Sequence, residues 1–232
     1  MDYQNTRYVK NSLLTLVSRI TVLILLVGIN AVIGRTIGPS GKGLISLLTM
    51  VGGFIAALAT LGFEYANVYF LGKDRGLKSS IFTQNLLLLL VVTIFLLPLL
   101  SLSGEWLSPV ILKNLPTLYW VYAILTVPFF MVVRLSMTYF QGLEDFTNFN
   151  FLEIGRYSGY LLLAVLILVV MKKGMFGGVE LVISQAMLGA ALSALLVLRR
   201  GHFPGRFDLN LLRNSFSMGI KAHIGQVLQF FN

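Results

Sequence analysis

Cysteine and charge are the two things that this sequence has least of. None of its 232 residues is cysteine, which excludes disulfides and thiolate metal sites. Only 12% of the residues are charged and 56% are hydrophobic, whereas a soluble domain carries about 25% charged residues. A water-soluble domain of this composition would have no polar coat. The composition therefore predicts an integral membrane protein.

Signatures of enzymes and of metal sites are also missing. The two histidines, His202 and His223, are far apart in sequence and form no ligand pair. No HExxH pattern and no nucleophile elbow occurs. The net charge of +9 could suggest nucleic acid, but the basic residues fall mainly between apolar runs, as in membrane proteins. We therefore predict no enzyme activity, no cofactor, no metal and no nucleic-acid partner.

Long apolar runs indicate helices that cross a bilayer, each of which needs about 20 mostly apolar residues. Strands are not expected, because an open sheet in lipid leaves backbone groups without partners. Six runs qualify, and a seventh, amphipathic run follows them. The predicted helices are 11–34, 44–71, 79–103, 117–141, 150–171, 177–198 and 211–232. The predicted fold class is all-α, a polytopic transmembrane helix bundle.

The distribution of lysine and arginine predicts the orientation. A cytoplasmic N-terminus places ten of these residues in inside segments and five in outside loops. This bias favours a cytoplasmic N-terminus under the positive-inside rule. A cluster of aromatic residues near one predicted interface is interpreted as an aromatic belt; its members are Trp106, Tyr119, Trp120 and Tyr122.

Polar residues recur at steps of three and four along the second predicted helix, which places them on one face. They are Ser46, Thr49, Gly53, Ala57, Thr60, Glu64 and Asn67. The small members suit close helix packing, whereas Glu64 needs a partner or water, because a carboxylate in a bilayer is costly. We predict that Glu64, Thr60 and Asn67, with Asn30 of the first helix, line a cavity or couple an ion.

Cationic residues interrupt three of the apolar runs. Arg19, Arg134 and Lys221 can each reach the membrane surface or face a shared cavity. Guanidinium groups bind phosphates with several fixed donors. Convergence of these three residues would therefore create a site for an anionic headgroup. Glu153 and Arg156 have the spacing of an i, i+3 ion pair and are predicted to form a structural one.

Four segments resemble, in their order and spacing, the polysaccharide-biosynthesis membrane proteins. They are Asn11–Leu14, Arg35–Gly43, Gln141–Phe146 and Phe216–His223. This family comprises the O-antigen or lipid-linked oligosaccharide flippases of the multidrug/oligosaccharidyl-lipid/polysaccharide exporter superfamily. The resemblance covers essentially the whole chain. It implies a MATE-like N-terminal lobe of six helices over residues 1–200, then a cytoplasmic linker and the start of a seventh helix of an absent or truncated second lobe over 201–232.

The resemblance also implies a function, which is flipping of an undecaprenyl-pyrophosphate-linked glycan across the bacterial inner membrane by alternating access, for polysaccharide or O-antigen biosynthesis. The implied partners are the lipid-linked oligosaccharide, the bilayer and other polysaccharide-assembly membrane proteins. Arg19, Arg134 and Lys221 match the cationic cavity residues of the family. Two alternatives remain. One is cation-coupled multidrug efflux, for which Glu64 is the best carboxylate, and the other is a membrane glycan polymerase.

Overall fold

A bundle of helices forms the whole of the described structure, a computed structural model that covers residues 2–112, 116–200 and 203–229. No strand occurs within these ranges. Turns of π-helix, at Val92–Leu96 and Val165–Val170, extend α3 and α8. The helices are α1 (Asp2–Ala59), α2 (Phe63–Lys73), α3 (Lys78–Val91), α4 (Leu97–Leu102), α5 (Gly104–Ile111), α6 (Thr117–Leu125), α7 (Val127–Gly142), α8 (Phe146–Ala164), α9 (Gly174–Arg199) and α10 (Leu209–Gln229).

Five stretches of helix are long and apolar enough to cross a membrane, which makes this a multi-pass membrane protein. They are Asn11–Ala59, Arg75–Leu102, Thr117–Gly142, Phe146–Val170 and Gly174–Arg199. The first has 49 residues and as a straight helix would extend about 74 Å, more than twice the hydrocarbon thickness of about 30 Å. Gly38 interrupts it with φ 69° and ψ −175°, and so divides α1 into a first arm (2–37) and a second arm (39–59). Glycine adopts such a conformation without steric cost.

The two arms of α1 run in opposite directions. The first arm is parallel to α8, as shown by the successive pairs Thr15–Asn150, Arg19–Glu153 and Gly28–Leu161. The second arm and α2 are parallel to α6 and α7, as shown by the pairs Gly52–Thr126, Glu64–Arg134 and Asn67–Thr138. α7 and α8 form an antiparallel hairpin, because Gly189 of α9 touches residues at similar distances on either side of the turn, Val133 and Arg156. The direction of the chain therefore reverses at Gly38.

The structure confirms the predicted helical bundle and shifts some helix bounds. The predicted helix 44–71 is discontinuous, because Leu61 and Gly62 have left-handed conformations (φ 49° and 75°) between Ala59 and Phe63. The fifth helix begins at Phe146, before the predicted residue 150, because Asp145 caps it by accepting from the Asn148 backbone N–H. The seventh predicted helix corresponds to α10; its residues 230–232 lie outside the described residues, as do residues 201 and 202 of the predicted linker.

The aromatic cluster is only partly at the surface. Trp106 of α5 is 83% exposed, but Trp120 of α6 is 1% exposed and lies in the apolar core. The Trp120 indole N–H donates to the Leu100 carbonyl oxygen at 2.8 Å. The interpretation of Trp120 as part of an aromatic belt is therefore wrong. The residue locks α6 against α4, because a buried indole N–H requires a partner.

Candidate functional site between α2, α7 and α10

Five ionisable side chains inside the helices lie at a similar depth. They are Arg19, Glu64, Arg134, Glu153 and Arg156. We call the end of the bundle that holds Asn11, Lys73, Gly142 and Phe146 the N-side. At 1.5 Å per residue, each charge lies about 10–15 Å along its helix from the N-side. The alternating helix directions bring these residues to one level, although they are widely spaced in the sequence.

Glu64 of α2 and Arg134 of α7 form the best-defined ion pair of this layer. Arg134 Nε donates to Glu64 Oε2 at 3.0 Å, and Arg134 Nη2 donates to Oε1 at 2.9 Å. The Glu64 side chain is 8% exposed, whereas that of Arg134 is 39% exposed. Two parallel charge-assisted hydrogen bonds of this kind fix geometry as well as charge. The carboxylate is thus fully engaged, while the outer edge of the guanidinium remains accessible.

A cleft of about 640 Å³ opens beside this pair. α2 contributes Glu64 and Tyr69 to its wall, and α7 contributes Arg134 and Thr138. The third wall is α10, through Met218 and Ala222. The cleft therefore lies where α10 packs against α2. Its wall combines a paired charge, hydroxyl groups and apolar side chains.

Two glycines allow α10 to approach the cleft so closely. A Cβ atom on Gly62 would lie 2.1 Å from the Gly219 carbonyl oxygen, and one on Gly219 would lie 2.6 Å from the Leu61 carbonyl oxygen. Gly62 also has φ 75°, a left-handed conformation that favours glycine. The break between α1 and α2 thus serves as the docking point for α10. It places Met218 one residue from this contact, against the turn that carries Glu64.

Two other residues predicted to line a cavity are buried near the pair. Asn67 is fully buried on α2, and its Nδ2 donates to Thr138 Oγ1 at 3.4 Å, while its Oδ1 has no hydrogen-bond partner. Thr60 is also fully buried, and its hydroxyl donates to the Ala57 carbonyl oxygen at 2.7 Å. The structure thus brings Glu64, Asn67 and Arg134 together. Thr60 lies at the helix break, one turn before Glu64.

The amino-acid sequence matches the sequence model of the family described as "Polysaccharide biosynthesis protein" over residues 8–232. The chain belongs to this family. The match confirms the resemblance predicted from the sequence segments. Membership in this family supports a polysaccharide-related membrane transport role. No curated protein and no solved structure gives a significant match to the chain.

The remaining predicted site residues of this family member lie elsewhere on the bundle. Arg19 is 60% exposed in its side chain and contacts the buried carboxylate of Glu153 at 3.3 Å. Lys221 is exposed on α10 between Met218 and Ala222, but it is not among the residues that line the cleft. Asn30 is exposed on the first arm, and its Nδ2 donates to the Leu26 carbonyl oxygen at 2.7 Å.

The predicted pair between Glu153 and Arg156 does not form. Glu153 pairs with Arg19 of the first arm instead. The i, i+3 spacing makes a helical pair possible, but the parallel packing of α8 on the first arm offers Glu153 a second guanidinium. Sequence spacing could not reveal this competitor, because Arg19 and Glu153 are 134 residues apart. For the same reason, the sequence alone places Arg156 in a structural pair and not in a binding site.

Proposed function

We propose that this protein moves a lipid-linked oligosaccharide across the bacterial inner membrane, and that the cleft between α2, α7 and α10 holds its anionic headgroup. The proposed cargo is an undecaprenyl-pyrophosphate glycan, and the proposed mechanism is alternating access. The N-side would then be cytoplasmic. The proposal goes beyond membership in the polysaccharide biosynthesis family, and the observation that carries it is the accessible edge of Arg134.

Arg134 retains donors after it has paired with Glu64. A guanidinium has five N–H donors, and the two hydrogen bonds to Glu64 use only two of them. The side chain that carries the remaining donors is 39% exposed and lines the cleft. Glu64 thus holds the guanidinium plane in one orientation, which lowers the entropic cost of binding an oxyanion.

Lys221 supplies the charge that the ion pair lacks. The Glu64–Arg134 pair is neutral overall and would attract a distant anion only weakly. Lys221 is exposed on α10 beside Ala222, which lines the cleft, and no ion pair to Lys221 occurs among the side chains that the structure describes. A cation on a flexible stem beside the cleft suits attraction of a phosphate, and Arg134 would then orient that phosphate by directional hydrogen bonds.

The geometry gives less support to cation-coupled efflux through Glu64. Both carboxylate oxygens of Glu64 accept hydrogen bonds from Arg134. A coupling cation would have to displace a guanidinium from a buried carboxylate. The same pair suits anion binding, because it leaves an oriented donor facing the cleft. Cation-coupled efflux is therefore the second candidate function, and it would be detected as dye or drug efflux that depends on Glu64.

The proposal is tested by removing the cation that lines the cleft, or the cation beside it, from the protein in its own bacterium. Arg134→Gln and Lys221→Gln are expected to lower the amount of surface glycan relative to the membrane level of the protein, a level that the destabilising Arg134→Gln substitution is itself expected to reduce. Arg199→Gln is the matched control, because this exposed arginine ends α9 away from the cleft. Surface glycan and membrane protein level are measured in the same cells.

An unchanged amount of surface glycan relative to protein level, in both variants, would refute the assignment of the cleft. Dye or drug efflux that depends on Glu64 while glycan export stays intact would favour the multidrug alternative. Accumulation of lipid-linked glycan on the cytoplasmic leaflet of the Arg134→Gln cells would support the proposal directly, because it places the defect at translocation and not at synthesis.

A further inference from the structure

Arg156 of α8 carries an unpaired positive charge within the bundle. Of the two carboxylates at its depth, Glu64 accepts two hydrogen bonds from Arg134, and Glu153 contacts Arg19 through Oε1. The other oxygen of Glu153, Oε2, is buried without a hydrogen-bond partner in the described structure and does not contact Arg156. No hydrogen bond or ion pair to Arg156 occurs in the described part of the chain, where its guanidinium lies over the ring of Tyr157. An unpaired charge at this depth is costly, and such residues in membrane helices commonly serve a function.

The surroundings of Arg156 hold its side chain in one place. The Cδ and Cγ atoms of Arg156 lie 3.1 and 3.4 Å from the position of a Cβ atom on Gly189, so the side chain packs directly on the α9 backbone. The guanidinium carbon lies 4.8 Å from the centre of the Tyr157 ring. This cation–π contact stabilises the charge only in part. The absence of a side chain at Gly189 leaves the room that the arginine occupies.

The guanidinium has a buried edge and an accessible edge. Nε is fully buried and has no hydrogen-bond partner, whereas the two terminal nitrogens are accessible to solvent. The terminal nitrogens therefore reach the surface of the bundle without a protein acceptor. Gly189 also touches Val133, the residue before Arg134. Arg156 and Val133 therefore lie on either side of Gly189, and Val133 is the neighbour of Arg134 on α7.

We propose that Arg156 is a second anion-binding residue, whose terminal nitrogens take a phosphate-type oxyanion that the protein itself does not supply. The inference rests on the proposed function only for the source of that oxyanion, the headgroup of a lipid-linked substrate. A free phosphate or pyrophosphate would satisfy the same donors. Arg156 would then act together with the cleft or at a separate step of the same passage.

The test measures binding by the full chain in detergent, as the rise of its melting temperature with added ligand. The probes are inorganic pyrophosphate and farnesyl pyrophosphate, at constant ionic strength. Arg156→Gln is expected to weaken the apparent affinity by about tenfold or more, the usual worth of a charge-assisted hydrogen bond. Arg156→Lys, which keeps the charge but loses the planar fork, is expected to fall between Arg156→Gln and the parent protein.

A structural role for Arg156 predicts a different result. If the residue only supported the fold, Arg156→Gln would lower the melting temperature without ligand and leave the apparent affinity unchanged, which would overturn the proposal. We expect the ligand-free melting temperature to stay the same or to rise, because the substitution removes an unpaired charge. Should the glutamine variant fail to fold, Arg156→Lys provides the measurement, and parent-like affinity in that variant would overturn the proposal.

Two comparisons separate this inference from the proposed function. In a Lys221→Gln background, the dependence of binding on Arg156 should persist, since Arg156 lies on α8 and Lys221 lies on α10. Arg156-dependent binding in a protein that shows no glycan transport would support the role of Arg156 in anion binding and refute the transport proposal. Dependence for farnesyl pyrophosphate alone identifies the lipid headgroup as the source, and equal dependence for both probes identifies the free anion as sufficient.

Discussion

Removal of either partner of the Glu64–Arg134 pair should destabilise the bundle, and the two losses should be unequal. Arg134→Gln leaves a carboxylate that is 8% exposed, whereas Glu64→Gln leaves a guanidinium that is 39% exposed. Breaking a buried pair by removing one partner costs about 3–5 kcal/mol. The lower end applies to Arg134→Gln, because only one partner is deeply buried. For Glu64→Gln we expect about 1–2 kcal/mol, since the exposed guanidinium can recover contact with water or headgroups.

The double variant decides whether the two residues act as a unit. If the hydrogen bonds at 2.9 and 3.0 Å carry the effect, the cost of the double substitution should be less than the sum of the single costs by about 1–2 kcal/mol. The assay is unfolding by sodium dodecyl sulfate in mixed micelles, followed by circular dichroism. Additive costs, or a larger loss for Glu64→Gln than for Arg134→Gln, would contradict the argument from burial.

Three further predictions concern the fold and its orientation. Gly62→Ala should destabilise the protein by more than about 2 kcal/mol, through strain at φ 75° and a clash with the Gly219 carbonyl oxygen. Gly53→Ala is the control and should cost little, because no atom lies within 4 Å of the added methyl group. Thermal unfolding measures both variants, and equal losses would refute the close approach of α10. Trp120→Phe should lose about 1 kcal/mol with its hydrogen bond to Leu100, and Trp106→Phe close to nothing, in the same unfolding assay. Because the chain has no cysteine, Lys73→Cys and Lys172→Cys can be labelled individually with a membrane-impermeant maleimide in intact cells; we expect labelling at position 172 alone, and the reverse pattern would refute a cytoplasmic N-side.

The apolar runs and most of the turns between them can be predicted from the sequence. The runs predicted the last four membrane-spanning stretches to within four residues at each end, since the thickness of the bilayer sets their length. The predicted helices 11–34 and 44–71 differ more, because they correspond to the single stretch Asn11–Ala59 and to α2. Gly38 and Pro39 marked a turn, although the reversal takes place at one residue and not over a loop. The sequence does not predict the break at Leu61 and Gly62, because a glycine inside an apolar run is equally compatible with a continuous helix.

The charged pairs were much harder to predict. The sequence indicated that Glu64 needs a partner but did not identify Arg134, 70 residues away. It also favoured the local pair of Glu153 with Arg156, which the structure replaces by a pair with Arg19. Local spacing shows only which pairs are possible on one helix. The choice among partners depends on which helices are neighbours and in which direction each one runs.

Composition and hydropathy by themselves determined that this protein is a multi-pass helical membrane protein, and its segments indicated the polysaccharide biosynthesis family. The reason is that a bilayer selects each helix separately, by its length and apolar character. Only the tertiary structure decided which charge neutralises which, and it left Arg156 without a carboxylate while Arg134 keeps an oriented, accessible edge. Pairing of charges is a property of packed helices, since the energy of an ion pair depends on the distance between its partners in space and on their burial, and not on their separation along the chain.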